Sequence, residues 1–244
     1  MKIIPHLLCL VARSACGSTM QPGAKEQAMT FKQRVHSEII KGAAIYQKVF
    51  AGYEYLIYSE NFKNKPYYII SAAEDNYPHL TGVNSLLSAQ AFFDKCLDGS
   101  LSESDFDFSS KNRSEKEVIG SVRRKIQILP LLDTIFQMKL QAEEGFVKGK
   151  VSCSLATADN AITIGFADTT LLRPKTLLKS NELNPNKAVD ITLILRRNRG
   201  LENFDTVIQG NAEEFSKAFP GMFMDGTSHK QNTEHGEQNN TLTE

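Results

Sequence analysis

The chain predicts an α+β fold in which N-terminal helices and a β-hairpin precede a small antiparallel sheet. Apolar residues recur at helical spacing over three stretches of the first half. Two runs rich in Tyr and Ile follow the first of these and are split by a polar loop. Beyond Gly145 the pattern turns to short runs rich in Val, Ile and Thr, the residue types a pleated surface accommodates best.

The first helix starts after Thr30. Phe31, Val35, Ile39, Ala43, Tyr46, Val49, Phe50 and Tyr53 share one face and leave Lys32, Arg34, Glu38 and Lys41 to solvent. His36 lies on this helix and reads as a surface residue. Tyr53 to Tyr58 and Pro66 to Ala72, on either side of a polar stretch at 60–65, form the hairpin. After a loop from Glu74 to Pro78, His79-Leu80-Thr81-Gly82 falls in a strand-to-helix turn, and Asn84 to Asp98 forms a helix stopped by Gly99. Ser114-Glu115-Lys116-Glu117 is a capping box, opening a helix that runs to about Ile128, ahead of the break at Pro130. Val147 to Thr157, Ala161 to Ala167 and Val189 to Arg196 read as a three-stranded meander, with Asp168 to Pro185 as a loop packed on it. From Gly221 the chain lacks apolar anchors and reads as disordered.

These patterns divide the chain into an extension over 1–28, a domain over 29–215 and a polar tail over 221–244. Met1-Lys2 and the apolar Ile3 to Ala12 have the outline of a secretory signal, with Ser14-Ala15-Cys16 near a cleavage or lipidation point. Pro5 and His6 interrupt its apolar core, and Arg13 sits where a small residue is wanted. A start at Met20 or Met29 is the alternative reading.

Composition narrows the function. With 28 Lys plus Arg against 28 Asp plus Glu, bulk positive charge cannot drive nucleic-acid binding. No apolar run is long enough for a membrane helix, and no membrane partner is expected. Cys9, Cys16, Cys96 and Cys153 include no CxxC pair and no Cys/His cluster, so no metal or cofactor is expected; buried free thiols fit a cytoplasmic protein. Dinucleotide, P-loop, zincin, serine-hydrolase and two-metal motifs are absent.

The balanced charge is unevenly laid out. Lys111 to Lys125 carries six basic residues against two acidic, and Leu171 to Arg199 seven against two. If the capped helix crosses the sheet, Arg123, Arg124 and Lys125 face Arg173-Pro174-Lys175-Thr176 across a phosphate-binding cleft; if not, these charges are solvated faces. His79 follows Pro78 and precedes Thr81 and Gly82, a loop-on-scaffold position where sites are found, although a lone histidine also serves structure. Metal-free phosphoryl chemistry needs a group that exchanges a proton near neutral pH beside cations that stabilise the transition state.

Tyr77-Pro78-His79-Leu80-Thr81-Gly82, the helix Val122-Arg123-Arg124-Lys125-Ile126 with Leu129, Leu132 and Phe136, the strand Ile162 to Phe166, and Arg173-Pro174-Lys175-Thr176-Leu177-Leu178 together resemble phage-type Barnase/EndoU/colicin/RelE-like nucleases, in particular their fourth class. The resemblance spans roughly Thr30 to Arg196, and its most specific piece is the aromatic-x-His-Leu-Thr-Gly motif. It implies an α+β nuclease domain from a phage or other bacterial mobile element, a metal-independent endoribonuclease. His79, Lys125 and Thr176 take the catalytic positions, with Thr81, Arg123, Arg124, Arg173 and Lys175 on the substrate. The implied partners are RNA and an immunity or phage protein. The alternative is a catalytically inactive module that binds RNA or protein.

Overall fold

A computed structural model describes residues 28–168 and 170–224. The expectations for the N-terminal segment through residue 27, and for the tail from residue 225, lie outside the described residues.

The chain opens with α1 (Phe31–Val49) and the hairpin β1 (Tyr53–Tyr58) and β2 (Tyr67–Ser71). A 3-10 turn leads into the short helix α2 (Tyr77–Thr81), followed by β3 (Asn84–Ser85), α3 (Ala89–Leu97), β4 (Phe106–Asp107) and α4 (Glu115–Ile128). A 3-10 segment, Leu129–Gln137, absorbs Pro130. Then come β5 (Gln141–Glu144), β6 (Val147–Lys148), β7 (Val151–Ser152), β8 (Leu155–Ala158), β9 (Ile162–Asp168) and β10 (Leu172–Lys179). The described chain closes with β11 (Val189–Asp190), β12 (Leu193–Asn198), β13 (Thr206–Gln209) and α5 (Ala212–Ala218).

Local chemistry sets the helix starts. Thr30 and Ser114 each accept from the third following amide, and the Gln33 and Glu117 side chains return the bond, which satisfies donors a bare helix end leaves open. The predicted helix over Asn84 to Asp98 is shorter at its start. Asn84 and Ser85 pair with Asp107 and Phe106, and the Ser88 side chain caps the helix that follows.

The sheet corrects the expected small antiparallel one. Nine strands run in the order β11-β5-β8-β9-β10-β2-β1-β12-β13, and the sheet is mixed because β10 pairs parallel to β2 at Leu172 and Ile70. The stretch read as a packed loop, Asp168 to Pro185, supplies β10, a central strand. The stretch from Val189 to Arg196 is divided between opposite sides of the sheet, β11 pairing with β5 and β12 with β1. The meander is therefore β8-β9-β10.

One face of this sheet presents Tyr55, Ile57, Tyr68, Ile70, Ile164 and Leu177 to the four helices α1 to α4, forming the main core. Full burial of each such side chain contributes about 1.5–3 kcal/mol. On the other face Leu56, Leu193 and Leu195 pack under Phe215 of α5, and Cys153, Ala156 and Ala158 pack with Phe146 and Leu183. Cys96 and Cys153 are buried free thiols, and burial raises both pKa values. His36 is half-buried rather than on the surface, its Nε2 bonded to the Leu101 carbonyl at 2.6 Å. No helix among the described residues is long and apolar enough to cross a membrane.

Candidate functional site

The site is built around α2, a five-residue helix held from below. Tyr77, Pro78, Leu80 and Thr81 are buried, and His79 is the exposed member of the helix. The Tyr77 ring packs between Tyr46 and Phe93, and its hydroxyl donates to the Ile39 carbonyl (2.5 Å) through the gap left by Gly42 of α1. The Thr81 hydroxyl donates to the Pro78 carbonyl (2.8 Å) and accepts weakly from the Val83 amide (3.4 Å). Gly82 ends the helix at φ +80, the left-handed region that favours glycine. The buried side chains thus fix a rigid turn that presents one imidazole.

Lys125 comes from α4, which packs beside α2. Its chain crosses Gly82, where an added Cβ would lie 2.8 Å from Lys125 Cδ, and its Nζ donates to the His79 carbonyl oxygen at 2.6 Å. Burial pushes its pKa down to about 8, and the positive charge of Arg113 acts in the same direction. His79, Lys125 and Arg113 line one open cavity of about 380 Å³, whose walls also include Pro78, Val83, Asn84 and Leu87. None of its lining residues is Asp or Glu. Asp107 stands one layer behind, accepting from Asn84 Nδ2 at 2.8 Å, and the Ser109 amide and Asn84 hold its pKa below the usual carboxylate range.

Of the residues singled out in the sequence, the structure brings together His79 and Lys125. The hydroxyl of Thr81 is engaged within its own turn rather than in the cavity. Arg123 lies over the Phe31 ring, 5.2 Å from its centroid, and Arg124 folds back toward Gly120. Neither lines the cavity. Arg173 reaches Asp75 at 3.7 Å, and Lys175 Nζ donates to the Ser152 carbonyl at 2.6 Å.

Thr176 is turned away by a bulge. Pro174 pairs with Phe166 and Thr176 with Gly165, so Lys175 is an extra residue in β10. The Thr176 methyl lies 2.9 Å from where a Gly165 Cβ would be, beside Cys153, whereas Leu177 and Ile164 face the helices. Its side chain therefore sits on the sheet face opposite His79. Arg113 escaped the sequence reading as a site residue. It was visible as one charge in the basic run from Lys111 to Lys125, but it precedes the helix, so helical spacing assigned it no face.

Among the described residues no group of three or more His, Cys, Asp and Glu is placed to hold a metal ion. His79, Arg113 and Lys125 around a cavity with no Asp or Glu in its lining make it an electropositive pocket on an α+β scaffold, chemically suited to an anion. Residues 38–209 match the family described as phage-Barnase-EndoU-ColicinE5/D-RelE like nuclease 4, and the chain belongs to that nuclease family. Comparison with curated proteins and with solved structures found no match. Family membership points to nucleic acid as the substrate class and to phosphodiester cleavage as the reaction class.

Proposed function

We propose that the protein is an endoribonuclease that cleaves RNA at the His79 cavity without a metal ion. The observation that carries the reading is the convergence of an exposed imidazole and the Lys125 ammonium on one cavity with no carboxylate in its lining. His79 takes the proton from a ribose 2′-hydroxyl as that oxygen attacks the adjacent phosphorus, and the resulting imidazolium returns the proton to the departing 5′-oxygen. The new bond is 2′-O–P and the broken bond is P–5′-O, so the products are a 2′,3′-cyclic phosphate end and a 5′-hydroxyl end. Lys125 stabilises the charge that builds on the phosphate oxygens. Thr176, Thr81 and Lys175 take no direct part in this scheme.

The reading extends to a phage or mobile-element protein, which the family's description supports. It also extends to a reducing compartment, where Cys96 and Cys153 stay as free thiols.

The test is incubation of wild type and His79→Ala with a mixed RNA pool in EDTA, followed by end-group analysis. Cyclic phosphate ends from the wild type and intact RNA from the variant are expected. Equal cleavage by both, or RNA bound by the wild type and left intact, refutes the reading; the second result points to a binding module.

A further inference from the structure

We propose that Arg113 is a phosphate-binding residue that, with Lys125, clamps one phosphate of a single nucleotide unit seated in the His79 cavity. This rests on the reading of that cavity as a nuclease centre and adds a residue that reading does not use.

Arg113 lines the same cavity as His79 and Lys125, although it enters from the loop ahead of α4. It is exposed, and although its charge helps the Ser114 hydrogen bonds hold the Glu117 pKa down, it forms no ion pair with any described carboxylate. Other arginines are engaged elsewhere: Arg173 with Asp75, Arg197 with Glu54, Arg199 with Glu74, and Arg123 over Phe31. Arg113 and Lys125 are thus two like charges facing one void, an arrangement that an anion between them relieves.

The donor geometry suits phosphate. A guanidinium offers a planar fork that meets two oxygens at once, while Lys125 commits one hydrogen to the His79 carbonyl and keeps two. The volume of about 380 Å³ lies near the lower end of small-ligand sites and fits one nucleotide unit rather than several. Pro78, Val83 and Leu87 supply an apolar wall for its base or sugar.

The experiment is calorimetric titration of the full chain with adenosine 3′-monophosphate, comparing wild type, Arg113→Gln and Arg113→Lys, alongside steady-state cleavage of RNA. Arg113→Gln should weaken binding by about tenfold or more, the loss expected of a charge-assisted contact, with part of it restored by Arg113→Lys. The same variant should lower kcat/KM for RNA cleavage by a similar factor. Equal affinity in wild type and Arg113→Gln, or no binding by the wild type, overturns the inference. A wild type that binds the nucleotide through Arg113 yet leaves RNA intact defeats the nuclease reading alone. Cleavage by Arg113→Gln with an unchanged kcat/KM defeats this inference alone.

Discussion

Replacing Gly82 with Ala tests the seat on which the site is built. At φ +80 any residue with a Cβ is strained, by about 1–2 kcal/mol in the left-handed region. The added Cβ would also lie 2.8 Å from Lys125 Cδ and 3.5 Å from Nζ, so the lysine chain must move. It is flexible and moves at little steric cost, but the movement detaches Nζ from the His79 carbonyl. That bond is charge-assisted and partly open to water, which places its loss near about 1.5 kcal/mol, the low end for bonds to charged groups. The sum is about 3 kcal/mol, or a fall in Tm of about 6–12 °C for a domain of this size. Gly82→Asn separates the two parts, because Asn tolerates the left-handed conformation better while still bringing a Cβ. Melting by circular dichroism and cleavage of a labelled RNA are measured on both variants. The Ala variant should melt well below the Asn variant, and both should lose cleavage to a similar extent. Wild-type melting in Gly82→Ala refutes the strain argument. Wild-type cleavage in both variants refutes the claim that the Lys125 seat matters.

Lys125 sets a pH dependence. Its pKa of about 8 means that it loses charge as pH rises through that value, so cleavage should fall along a basic limb that Lys125→Arg removes from the pH–rate profile. A limb that persists in Lys125→Arg counts against this assignment. The sign for stability is the reverse of the usual lysine case. The folded state disfavours the ammonium, so the penalty is complete below about 8 and is relieved as pH climbs toward the ordinary value of 10.5. Thr176→Val removes a hydroxyl on the far sheet face and should leave kcat/KM within about twofold; a drop of about tenfold or more would bring that hydroxyl into the chemistry. Glu54→Gln breaks the largely buried pair with Arg197, which bonds it at 2.7 and 2.8 Å, and should lower stability in urea by about 3–5 kcal/mol. A loss under about 1 kcal/mol would place that pair with ordinary surface ion pairs.

Elements whose signals are local were legible in advance. The Ser114 box acts within four residues and starts α4 where the sequence indicates, and α1 starts after Thr30 as its apolar spacing indicates, with a Thr30–Gln33 box that the structure adds. The hairpin of β1 and β2 follows from two Tyr-rich runs and a short polar loop. The central strand β10 did not read as a strand, because Arg173, Pro174 and Lys175 interrupt its alternation. Its place depends on β9 beside it and on β2 about a hundred residues earlier. The edge strand β11 and the inner strand β12 are separated by two residues and lie on opposite sides of the sheet, a division that periodicity cannot report.

The site divides along the same line. Sequence alone placed His79 to Gly82 in a turn between strand and helix, where the structure has the short helix α2, and read the helix opened at Ser114 as basic, because each of these rests on neighbours within a few residues; the resemblance to a nuclease family rests on motifs spread from Thr30 to Arg196. Tertiary structure decided which cations share a cavity with His79. Lys125 arrives because α4 docks beside α2, Arg113 arrives from a loop with no helical face, and Thr176 is lost because one extra residue in β10 reverses the side of the sheet toward which the next side chain points. Strand facing and helix docking depend on partners far apart in the chain, and no local pattern encodes them.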